Sequence, residues 1–139
     1  MKITLQGNPI TKKNSFQMAR NPKTGAMFPV QSKAYKGYQR YAVKLLKAMA
    51  GEPINTPVNI CYTFYMETRR SVDALNLCEA LDDILVQAGF LADDNRDIVA
   101  GHDGTRVLYD KMSPRVEIEI TEMKDYEQWK SRAPKKSGA

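Results

Sequence analysis

Histidine and cysteine are scarce in this chain: His102, Cys61 and Cys78 are the whole supply in 139 residues. No CxxC pair occurs and no His accompanies either Cys. Both thiols are therefore read as reduced core residues, in keeping with a cytoplasmic protein. His102 stands beside Asp103-Gly104 and is expected to be a turn residue, so no Ser-His-Asp or Cys-His arrangement is supported. No stretch approaches the roughly 20 apolar residues of a membrane helix. The N-terminal run Met1–Gln6 has too short an apolar part for a secretory signal. Repeats and a second domain are also lacking. Acid is nearly missing from one region: residues 1–56 hold ten Lys and Arg against a single Glu52.

The acid lies elsewhere. Residues 73–97 hold seven acidic side chains, Asp73, Glu79, Asp82, Asp83, Asp93, Asp94 and Asp97, against Arg96. Net charge is +5 and the isoelectric point is near 9.2. A basic surface collects a polyanion, and a carboxylate cluster holds hard divalent cations. The pairing points to a protein that grips nucleic acid and cuts it with a metal.

The chain length suits one ordinary domain. Residues 2–6 alternate as a short strand, ended by Gly7-Asn8-Pro9. Residues 7–32, rich in Lys, Asn, Gly and Pro, read as a loop or ribbon, with a short strand at Met27–Val30. From Ser32 the period becomes helical: Tyr35, Tyr38, Ala42, Leu45, Leu46 and Met49 fall at spacings of three and four, and Gly51 ends the run. Pro57–Met66 alternates as a strand through the middle of a sheet. A second helix is expected from Asp73 to Ala88, with Gly89 as its cap. Ile98–Tyr109 reads as two strand pieces broken by Asp103-Gly104, in the manner of a hairpin. Pro114–Thr121 alternates strictly, as a strand with one wet face. The expected fold is α/β: one domain, a mixed β-sheet packed with two main helices. It spans residues 1–124, with a short helix near 123–130 and a flexible tail completing 125–139.

On a helical wheel of about 100° per residue, Leu77, Leu81, Ile84, Leu85 and Ala88 make one apolar stripe. Asn76, Glu79 and Asp83 fall within about 60° of one another on the other side, with Asp73 at the helix start. Like charges three or four residues apart repel, and a cation between them offsets the repulsion. Mg²⁺ needs only one or two carboxylates plus water and phosphate oxygens. Spacing alone leaves a plainer reading open. Asp73 is equally a helix N-cap, Glu79 and Asp82 are equally solvated charges, and Asp93-Asp94-Asn95 is equally a polar turn.

The run from Arg69 to Leu85, then Ala88-Gly89-Phe90 and Asp93-Asp94, resembles the RusA family of Holliday junction resolvases. The family pattern is Asp-x-Asp-Asn-Leu-x-Lys, an Asp seven residues after the Asn, a Gly, and an Asp-Asp pair. Asp73, Asn76, Leu77, Asp83, Gly89, Asp93 and Asp94 occupy matching positions. Leu75 stands where the second Asp belongs and Glu79 where the Lys belongs. The resemblance implies a homodimeric, Mg²⁺-dependent endonuclease, with Mn²⁺ as a substitute, that nicks opposed strands of four-way junctions in DNA recombination and repair. The candidate catalytic set is Asp73, Asn76, Glu79, Asp83 and Asp94. The candidate metal ligands are Asp73, Glu79, Asp93 and Asp94, with Glu79 taking over from the lost Asp and Arg69, Arg70 or Lys111 from the lost Lys. DNA contacts are expected from Lys12, Lys13, Lys33, Lys36, Arg40, Arg69 and Arg70, as well as Lys23. Tyr35, Tyr38 and Tyr41 are candidates for base stacking, and Phe16 or Phe28 for a wedge. The competing readings are a silent junction binder on the same fold and a metal-dependent nuclease without junction preference.

Overall fold

Inward and outward side chains alternate along three strands, and that alternation sets the sheet. β1 (Lys2–Gln6) buries Ile3 and Leu5. A computed structural model describes residues 1–12 and 16–123. The helix expected near 123–130, the tail, and Lys13 lie outside the described residues.

β2 (Phe16–Arg20) and β3 (Met27–Gln31) form a separate antiparallel ribbon. Its turn is closed by a 2.7 Å bond from the Gly25 amide to the Asn21 carbonyl. α1 (Lys33–Met49) follows, with Ser32 as its N-cap; the Ser32 hydroxyl accepts from the Tyr35 amide at 3.1 Å. Lys47 lies in its last turn, where a cation complements the helix dipole. The expected stripe is only partly internal. Tyr35, Tyr38, Ala42 and Leu46 are buried, whereas Leu45 and Met49 are 44% and 59% exposed.

β4 (Val58–Met66) buries Val58, Ile60, Tyr62 and Phe64 and turns Asn59, Cys61 and Thr63 to the other face. Next come α2 (Ala74–Gln87), β5 (Val99–Gly101), β6 (Arg106–Tyr109) and β7 (Arg115–Glu122). β7 runs antiparallel between β1 and β4, with Ile118 opposite both Ile3 and Tyr62. Both helices cover the inward face, where the apolar residues of β1, β4, β7 and α2 merge into one core. The outward face of β1 and β7 carries Lys2, Thr4, Glu117 and Glu119. The structure is thus the expected mixed α/β sheet packed with two main helices.

The hairpin expected over Ile98–Tyr109 is not there. β5 and β6 do not pair with each other; both run parallel along the same edge of β4, at its beginning and its end respectively. The reason is the Asn59 side chain. Its amide donates to the Asp103 carbonyl at 3.1 Å and accepts from the Asp103 amide at 2.7 Å, occupying the gap in the ladder. Gly104 turns the chain with φ +88°, and a Cβ there would stand 3.1 Å from the Cys61 sulfur. The chain therefore resumes in the same direction as one interrupted edge strand.

Candidate active site

α2 positions the acidic motif, and its two ends do different work. Asp73 is its N-cap: Oδ1 accepts from the Leu75 amide at 2.9 Å and the Asn76 amide at 3.3 Å. Capping therefore uses one oxygen of an exposed carboxylate. The cap and ligand readings of Asp73 are compatible for this reason. Leu75, in the first turn, is 76% exposed, which is unusual for a leucine that contributes nothing to the core. The other end stops where Gly89 takes φ +82° and the Phe90 amide returns to the Leu85 carbonyl at 2.9 Å.

That return carries Asp93 and Asp94 back beside the helix. The Asp94 amide donates to Asp93 Oδ1 at 2.7 Å, and Asn95 Nδ2 to Asp93 Oδ2 at 3.2 Å. Burial first, then the neighbouring Asp93 carboxyl and the more distant Asp83, push the Asp94 carboxyl above the usual range. Burial is the larger cause and like charge the smaller, and a cation beside the group favours its charged form against both. Asp83 also meets a cation of the chain itself: Lys12 Nζ lies 3.4 Å from its Oδ2, and Gln87 Nε2 donates to the same oxygen at 2.9 Å. Tyr35 lies close by. Burial and Asp83 push its phenol up to about 12, and its buried hydroxyl has no partner among the described residues.

Thus Asp83 pairs with Lys12 in the C-terminal half of α2, and Asp94, bonded to Asp93, lies near enough to feel the Asp83 charge. Asp73 stands ten residues from Asp83, about 15 Å along the axis. Glu79 is exposed between them and Asn76 is half-buried. Among the described residues, no three His, Cys, Asp or Glu side chains converge to hold an ion unaided. The donor set fits a divalent ion that takes one or two carboxylates and completes its shell with water and phosphate oxygens.

The expected DNA contacts divide into three groups. Lys33, Lys36 and Arg40 lie exposed on α1, where Lys36, Arg40, Lys44 and Lys47 line a groove of about 590 Å³ with Gln39 and Gln87. Arg69 and Arg70 line a second hollow beyond the end of β4, with the Arg69 guanidinium 4.1 Å above the Tyr109 ring. Lys12 is at Asp83. Of the three tyrosines, Tyr35 and Tyr38 are buried; Tyr41 is exposed, as is Phe28 on β3.

Sequence reasoning missed one constellation. Asp82 is not a solvated charge. It is 7% exposed, accepts from the Tyr62 hydroxyl at 2.6 Å, and lies 2.8 Å from His102 Nε2. His102 does sit in the turn after β5, but its ring stacks on Tyr62 at 5.8 Å between centroids. Cys78 borders the group, its thiol pushed up to about 11 by burial and then by Asp82; neither cysteine is in a disulfide. The available signal was Tyr62, an inward tyrosine in a central strand, whose hydroxyl requires a partner.

Compared with known protein families, residues 6–121 match the one described as endodeoxyribonuclease RusA. No curated protein matches the chain.

Proposed function

The chain belongs to the RusA endodeoxyribonuclease family, and from that premise we propose that it is an Mg²⁺-dependent, structure-selective endonuclease that resolves four-way DNA junctions. We place it in the cytoplasm of a bacterial or phage system, in recombination and repair, working as a homodimer. The observation that carries this reading is the division of charge on one small fold. Cations cover the outside of α1, while carboxylates line α2 and the 93–94 turn. Free cysteines, and no helix among the described residues that could cross a membrane, are in keeping with it.

The chain's own residues divide the task. Lys33, Lys36, Arg40, Arg69 and Arg70 hold backbone phosphates, whose neutralisation makes binding steeply salt-dependent. Lys13 is assigned to the same task from its sequence alone. Asp94, whose charged form is disfavoured by burial and by the carboxyls of Asp93 and Asp83, draws a cation, while Asp83 already holds Lys12 at 3.4 Å. Asp73, with one oxygen fixed by backbone amides, offers the other towards substrate. Glu79 and Asp93 complete the carboxylate set and Asn76 orients it. Lys12 is better placed than Arg69, Arg70 or Lys111 to stand in for the family's lysine, because it already reaches a motif carboxylate. When bound, the divalent ion, Mg²⁺ or Mn²⁺, supplies an activated water and offsets charge on the phosphoryl oxygens.

The test is cleavage of a labelled synthetic four-way junction beside a linear duplex, in Mg²⁺ and in EDTA. Paired nicks on the junction alone, lost in EDTA, are expected. Equal cutting of the linear duplex would instead indicate a general metal-dependent nuclease. A second reading rests on Leu75, exposed where the family has an acid, and on Glu79, where it has a lysine. It makes the protein a junction binder without cleavage, and tight binding without nicks in either metal would establish it.

Glu79 decides how the departure from the family pattern is tolerated. Glu79→Ala is expected to reduce metal-dependent cleavage by roughly a hundredfold, the few kcal/mol one carboxylate contributes through a metal. Junction affinity should stay within about threefold, because no cation is removed. Unchanged cleavage would remove Glu79 from the site.

A further inference from the structure

The hold on Asp83 reaches back to α1. Lys12 and Gln87 both bond its Oδ2, at 3.4 Å and 2.9 Å, whereas Oδ1 has no partner among the described residues. Gln87 is the last residue of α2 and lies one turn beyond Asp83 on the same face. It is exposed, and an exposed side chain at a helix end is ordinarily free to turn. Here it is tied. Gln39 Nε2, 48 residues earlier, donates to Gln87 Oε1 at 2.8 Å. Gln39 lies well inside α1, a helix of 17 residues. The direction of these bonds is fixed by chemistry, because an ionised carboxylate only accepts. Gln87 must turn its NH₂ group to Asp83 and its carbonyl to α1, where only a donor fits. Both glutamines line the groove that Lys36, Arg40, Lys44 and Lys47 make cationic. Two side chains thus join the surface that collects phosphate to a carboxylate of the motif.

We propose that Gln87, held by Gln39, is a positioning residue that fixes the Asp83 carboxylate with Oδ1 presented. The inference rests on the reading of Asp83 as a member of the catalytic set, and it adds two residues that have no place in the acidic motif.

Lys12 is the reason such a residue is needed. The side chains of Lys12 and Asp83 are 39% and 30% exposed, and an ion pair that open to water is weak. A DNA phosphate competes for the ammonium and draws it off the carboxylate. Gln87 is then the remaining donor to Asp83 among the described residues. It is neutral, and its carbonyl is already engaged by Gln39, so a phosphate has little hold on it. Asp83 therefore keeps its direction when Lys12 leaves. Without that bond the carboxylate would move between rotamers on an open helix face, and a displacement of about 1 Å costs up to about a hundredfold in rate.

Two readouts test the assignment. Gln87→Met removes the amide at nearly the same length and keeps a good helix former. Single-turnover cleavage at saturating junction DNA is expected to fall about tenfold, the low end of what loss of an orienting partner costs. Junction Kd should stay within about twofold, because no cation is removed, and the thermal melt should not move. Gln87→Lys restores a donor to Asp83 at the same spacing and should recover most of the lost rate. The second readout is the Asp83 χ1 rotamer, taken from three-bond NMR couplings in EDTA without DNA. In Lys12→Ala, which mimics departure of that cation, one rotamer is expected. Adding Gln87→Met or Gln39→Met to Lys12→Ala should average it. A single rotamer persisting in either double variant would overturn the proposal. So would Gln87→Met cutting as fast as an active parent, or Gln87→Lys cutting no better than Gln87→Met. The rotamer readout needs neither metal nor cleavage. A parent that cuts nothing while Asp83 behaves as described would therefore count against the nuclease reading alone.

Discussion

Asp73→Asn is expected to lower metal-dependent junction cleavage by on the order of a hundredfold or more while leaving the fold intact. Asparagine caps helices about as well as aspartate. The two amide bonds now accepted by Asp73 Oδ1 can be accepted equally by an amide oxygen. What is lost is the charge, and with it the few kcal/mol that an anionic ligand contributes to transition-state stabilisation through a metal. Asp73→Ala would confuse the two roles, because deleting the cap costs about 0.5–2 kcal/mol by itself. The check is the single-turnover cleavage rate of Asp73→Asn beside its thermal melt. A normal melt with normal cleavage would show that Asp73 is a cap and nothing more.

The largest expected effect on stability lies at a residue with no place in the acidic motif. Asp82→Ala should destabilise the protein by about 2–4 kcal/mol, since it strands the Tyr62 hydroxyl inside the core and removes the partner of His102. For a domain of this size that is a fall in melting temperature of roughly 8–15 °C. Asp82→Asn keeps an acceptor for Tyr62 and should lose about half as much. Tyr62→Phe removes a donor but leaves Asp82 bonded to His102, and should cost about 1–2 kcal/mol. Thermal and urea denaturation of the three variants gives the order directly. Asp82→Ala within 0.5 kcal/mol of the parent would mean the group is held by packing, without help from its hydrogen bonds.

Legibility in the sequence followed the range of the interaction. The apolar stripe of α2, its Asp73 start and its Gly89 stop are written within one or two turns of chain, and the structure has them. The alternation of β4 and β7 was equally plain. The stripe of α1 was right in period and too wide. The sheet and α2 cover only part of the helix, so Leu45 and Met49 are left outside. The edge strand was misjudged as a hairpin because its pairing is decided by Asn59, more than 40 residues earlier in the chain.

Composition and local period determined the elements, the separation of positive from negative charge, and the spaced acids by which the family is recognised. Packing decided which charges meet. Lys12 and Asp83 are 71 residues apart, and Asp82 and Tyr62 are separated by a loop and half a helix. No local rule distinguishes Asp82, which faces the sheet, from Asp83, which faces Lys12. Adjacent positions on a helix differ by about 100°, and only the placement of the helix on its sheet says which of the two is buried.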